Sequence, residues 1–76
     1  MTTPDKILQH LLDGPDITNH IAQAVRVPML VALAMLKRLE IAKHVYREKT
    51  EAESIWTITG AGMDAARNLN KELSLL

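Results

Sequence analysis

Ile21-Ala22-Gln23-Ala24-Val25-Arg26-Val27-Pro28-Met29-Leu30-Val31-Ala32-Leu33-Ala34-Met35-Leu36-Lys37-Arg38-Leu39-Glu40 is the stretch that decides the fold. Ile21, Ala22 and Val25 fall on one helical face. Arg26-Val27-Pro28 then breaks that helix, because a residue before proline is pushed toward extended backbone. A further helix follows from about Pro28 to about Ala42, with Ala32, Leu36 and Leu39 on one stripe. Its remaining surface carries Met29, Leu30, Leu33 and Ala34. A helix apolar on every side is normally buried. A chain of 76 residues buries only about 60% of its unfolded surface and struggles to surround one. Either the segment beyond and the first helix cover part of that face, or a partner does.

Working outward, Thr3-Pro4-Asp5 predicts a helix start, with Thr3 as the hydroxyl cap and an acid near the positive helix end. Ile7, Leu8, Leu11 and Leu12 share a face, and Gly14-Pro15 stops the helix. Thr18 is placed to cap the second helix. After Lys43 the period shifts toward two. The runs 44–49 and 54–59 flank the polar Thr50-Glu51-Ala52-Glu53 and predict a β-hairpin with a four-residue tip. Gly60-Ala61-Gly62 ends it. Met63, Ala66, Leu69, Leu73 and Leu76 then mark a closing helix. The expected class is α+β, in the order helix, helix, helix, strand, strand, helix.

This order, with these residues, resembles the winged helix-turn-helix superfamily, as seen in small bacterial and phage transcriptional regulators of the MarR- and PadR-like type. Ile21-Ala22, Val25, Val27, Leu36 and Leu39 match the apolar skeleton of the helix-turn-helix. Leu36-Lys37-Arg38-Leu39-Glu40 looks like the end of a recognition helix, and Ile58-Thr59-Gly60-Ala61-Gly62 resembles the Leu-Thr-x-x-Gly that closes the wing. The resemblance implies one winged-helix domain over 1–76, with the helix-turn-helix at about 18–42, the wing at about 44–59 and the C-terminal helix at about 61–75. It also implies a DNA-binding transcription regulator, with helix three in the major groove of double-stranded DNA and the wing on the phosphates. Arg26, Lys37, Arg38, Lys43, Arg47 and Lys49 would supply backbone contacts, and Met29, Leu30 and Leu33 would face the bases.

Three departures qualify that expectation. Arg26 stands where the turn often has glycine, and Pro28 where a Ser or Thr cap is usual. By the family pattern Met29, Leu30, Leu33, Ala34 and Lys37 face the groove, and only Lys37 offers a donor there. Base reading depends largely on donors and acceptors matched to base edges; Met, Leu and Ala can touch a thymine methyl but distinguish little else. The same surface therefore fits a second reading, a protein-interaction module in which Met29, Leu30, Leu33 and Ala34 bind a partner or form a homodimer without DNA.

Nine basic and nine acidic residues cancel, so no global field draws the chain to phosphate or anionic lipid. The distribution is uneven. Within 37–49, five basic residues (Lys37, Arg38, Lys43, Arg47, Lys49) stand against Glu40 and Glu48. Any polyanion should meet the middle of the chain. There is no cysteine, hence no disulfide framework. The start lacks a signal peptide's basic and apolar regions, and the apolar run 27–36 is too short to span a bilayer. The expectation is a cytoplasmic protein with no membrane contact.

The other chemistry-bearing residues point to structure. Trp56 and Tyr46 are the only aromatics, too few for a stacking platform, and Trp56 is expected in the core. His10, His20 and His44 have no metal-ligand spacing, and His20 is expected at the surface. No Gly-rich phosphate loop, nucleophile–base pair or acid pair is present, so neither enzyme chemistry nor a cofactor is expected. Helices one and four are the expected homodimer seam.

Overall fold

The computed structural model describes residues 1–74, and their side chains as far as Leu69. Leu73, Leu75 and Leu76, assigned above to the closing stripe and its end, lie outside the described side chains. Four helices and three strands alternate as α1 (Thr3–Leu11), β1 (Asp16–Ile17), α2 (Thr18–Val25), α3 (Met29–Ile41), β2 (Val45–Lys49), β3 (Ser54–Ile58) and α4 (Gly60–Ser74). The α+β class and the element order agree with the sequence. One strand was missed.

The cap of α1 is Thr2 rather than Thr3. With Thr2 at the cap, Asp5 falls three residues on and its carboxylate accepts from the Thr2 N–H at 3.1 Å. The Thr2 hydroxyl in turn accepts from the Asp5 N–H at 3.3 Å, closing a capping box that a cap at Thr3 would forfeit. Thr18 also departs from expectation. No side chain caps α2; the Thr18 hydroxyl accepts from the Trp56 Nε1–H at 2.7 Å. An indole N–H buried without a partner is costly, and Thr18 is the group in reach.

The sheet has three antiparallel strands in the order β1-β3-β2, where a two-stranded wing was expected. Asp16 pairs with Trp56 and Ile17 with Ile55, so β1 covers the second edge of β3. Two residues are too few to print an alternation in the sequence. Between β2 and β3 the register runs from Val45 opposite Ile58 to Lys49 opposite Ser54. The hairpin tip closes through the Thr50 N–H donating to the Glu53 carbonyl at 2.8 Å, as the four-residue turn predicts.

The core lies where α1, α2 and α3 meet β3. Ile7, Leu11, Ile21, Leu36 and Trp56 are fully buried there, and Val45, Ile58 and Ala66 close it from the wing and α4. Of the described α4 stripe, Ala66 packs in this core and its carbonyl accepts from Gln9 Nε2 of α1 at 2.9 Å, while Met63 is exposed and Leu69 partly buried.

Candidate nucleic-acid interface

The face of α3 away from the core is apolar and open. Met29 is 52% exposed and Leu30 76%, whereas Leu33 is half-buried and packs on the core. Neither the wing nor α1 covers Met29 or Leu30. Along one side of this face runs an open groove of about 660 Å³. Met29, Leu30, Leu33 and Lys37 of α3 form one wall, Arg47 and Lys49 of β2 the other, and Thr18 and Asn19 of α2 one end. Glu53 from the wing tip also lines it and is its only acid.

Arg47 is held in place rather than loose in solvent. It lies opposite Trp56 in the ladder, and its Cζ sits 5.5 Å from the centre of the indole ring. Such a cation–π contact contributes on the order of 0.5–1 kcal/mol and narrows the arc the guanidinium sweeps. Lys49 is exposed two residues further along the same strand face.

Of the site residues expected from the sequence, Met29, Leu30, Leu33, Lys37, Arg47 and Lys49 share this groove. The other three stand apart. Arg38 lines a second groove of about 460 Å³ beside Asp5 of α1 and Asn68 of α4, because adjacent helical residues point about 100° apart. Arg26 and Lys43 are exposed at helix ends, and both have left-handed backbone, with φ of 60° and 64°. Ala34 is exposed but lies outside the groove lining.

Sequence reasoning missed Asn19. Its amide adds a donor and an acceptor to a groove in which Lys37 seemed the only polar reader. The signal was present, an exposed Asn in the first turn of the helix before the break, but nothing local ties α2's start to the wing. His20 is exposed at the surface, as expected. His10 and His20 meet on Asp16, donating to its two oxygens at 2.8 and 3.1 Å, and the Ile17 N–H donates to it at 2.8 Å. Burial opposes ionisation of Asp16, but these hydrogen bonds outweigh it and hold the carboxyl below its usual range.

No protein-family model matches the sequence, and no curated protein does. Solved structures do match. The transcriptional regulator BldR from Sulfolobus solfataricus superposes with a TM-score of 0.88 at 21% identity, covering 95% of this chain and 54% of that one. MepR, a transcription regulator of the Staphylococcus aureus multidrug efflux pump MepA, gives 0.86 at 18%, covering 97% and 58%. The fold is a winged helix-turn-helix. Lactococcus lactis ZitR gives 0.84 at 17% identity, covering 95% and 57%. This winged helix therefore spans little more than half the length of the solved chains it matches. Within it, α2 and α3 follow one another across the turn 26–28, and β2 and β3 form the hairpin. MepR has also been solved in complex with DNA. No helix among the described residues is long and apolar enough to cross a membrane.

Proposed function

We propose that this winged helix is a DNA-binding domain of a transcription regulator, which sets α3 in the major groove of a duplex and lays the wing along the phosphates. The observation that carries the reading is the shared groove: Lys37 of α3 faces Arg47 and Lys49 of the wing across an open channel with a single acid in it. Likeness to transcription regulators, one of them solved with DNA, supports it. Lys37, Arg47 and Lys49 make the first phosphate contacts, and Arg26 and Lys43 extend them from the helix ends. Arg38, on the other groove, is left out of this set. The functional unit is a cytoplasmic homodimer joined through α1 and α4.

An amide NMR titration with a mixed-sequence duplex at low and at higher salt tests this. Salt-sensitive shifts confined to α3, the start of α2 and the wing are expected. Shifts scattered over α1 and α4 alone would count against it.

The 76% exposure of Leu30 favours a second reading, a protein-binding module without DNA. Leu30→Glu is the probe, because Leu33 also packs on the core and its replacement would disturb the fold. Loss of a dimer or of a captured partner in a folded Leu30→Glu chain, with no duplex response in the parent, would establish that reading.

A further inference from the structure

We infer that α3 recognises the C5 methyl groups of pyrimidines in the major groove, so that the preferred ligand is an A·T-rich duplex. This rests on the DNA-binding reading above. Three of the four α3 residues in the groove, Met29, Leu30 and Leu33, have no donor to offer a base edge and, beyond the weakly accepting Met29 sulfur, no acceptor. Pressed against guanine O6 and N7 or a cytosine amino group, they would strip water from those groups and return nothing. The thymine methyl is the only apolar group an unmodified major groove displays.

The geometry suits that target. Leu33 lies three residues beyond Leu30 and four beyond Met29, about 4.5–6 Å along the helix, which is between one and two base-pair steps of about 3.4 Å. Successive thymines therefore meet successive apolar side chains. Met29 adds a flexible, polarisable tip that follows a methyl whose position varies with the sequence. Asn19, at the end of the same groove, is the residue type that pairs with adenine N6 and N7, the partner of thymine.

Charge selects a nucleic acid as the occupant. Lys37, Arg47 and Lys49 rim the apolar strip and Glu53 alone opposes them, which complements a phosphate backbone. A second copy of this chain would instead bring the same cations against these.

The test is an anisotropy titration of the full chain at low salt with matched duplexes. One is A·T-rich, a second replaces every thymine by uracil, and two are G·C-rich with cytosine or 5-methylcytosine. Uracil should weaken binding about four-fold for each methyl group withdrawn from the apolar strip, the value of one buried methylene. 5-Methylcytosine should strengthen binding over cytosine. Leu30→Ala, at an exposed position that spares the fold, should bring the thymine-to-uracil ratio toward one. Equal binding of thymine and uracil duplexes overturns methyl recognition and leaves DNA binding standing. No binding to any duplex overturns both. Self-association that Leu30→Glu abolishes, again without duplex binding, assigns the face to a second copy and equally overturns the proposal.

Discussion

Arg26 and Lys43 end α2 and α3 in left-handed backbone, a conformation that costs a residue with a Cβ about 1–2 kcal/mol. Each helix closes with the same pair of bonds. Val27 N–H donates to the Ala22 carbonyl and Arg26 N–H to Gln23, while His44 N–H donates to Leu39 and Lys43 N–H to Glu40. This is the Schellman closure, in which glycine is the usual residue at the left-handed position. A cation there recovers part of the cost by facing the negative end of the helix. Arg26→Gly is therefore expected to raise stability by roughly 0.5–1 kcal/mol, after the extra freedom glycine gives the unfolded chain. Urea denaturation checks it: the midpoint rises with unchanged slope. A lower midpoint would mean that Arg26 makes an interaction worth more than its strain.

At the scale of elements, Thr59 and Gly62 tie the wing to α4. The Thr59 hydroxyl donates to the Lys43 carbonyl at 2.7 Å and accepts from the Gly62 N–H at 3.1 Å, and the Thr59 N–H donates to the His44 carbonyl at 2.9 Å. This tie explains the Thr-Gly-Ala-Gly run. A Cβ on Gly62 would collide with the His44 carbonyl and with Ile58 Cγ1, whereas one on Gly60 meets open space. Gly62→Ala should cost about 1–3 kcal/mol, as overpacking does, while Gly60→Ala should cost nothing and gain helix propensity. Thermal melts of the two variants separate them; equal melting would refute the joint. The wing carries its own prediction. Arg47→Ala with Lys49→Ala removes two cations from one strand face and should flatten the salt dependence of duplex binding by about 1.8 in log–log slope. An unchanged slope would take the wing off the phosphates.

Across the whole molecule, Asp16 joins α1, α2 and the sheet. It stands at the start of β1, pairs with Trp56 and holds both His10 and His20. Its carboxyl is held below the usual range, so the ionised form is favoured by folding. The resulting stabilisation is complete above the unfolded value, near pH ~4, and is lost as pH falls through the folded value. Asp16→Asn should lower stability at neutral pH by on the order of 1 kcal/mol. The gap between variant and parent should close on acidification below about pH 4. A constant gap down to pH ~2 would show that the hydrogen bonds, not the charge, matter.

The sequence by itself determined the helix-break-helix core, the hairpin with its four-residue tip, the closing helix and the apolar face of α3. Those features are written in spacing: 3.6-residue and two-residue periods, a proline after Val27, glycines after Thr59. It also put Trp56 in the core, whereas the left-handed backbone at Arg26 came only with the structure. Tertiary structure alone decided the rest. β1 exists because β3 has a second edge to satisfy, and Thr18 serves Trp56 across 38 positions instead of capping its own helix. Asn19 joined the groove and Arg38 left it because packing fixes the rotation of each helix, and one residue's step turns a side chain by about 100°. Periodicity records which face a residue shares with its neighbours in the chain. Which distant face it will meet is settled only when buried polar groups and unpaired edges find their partners.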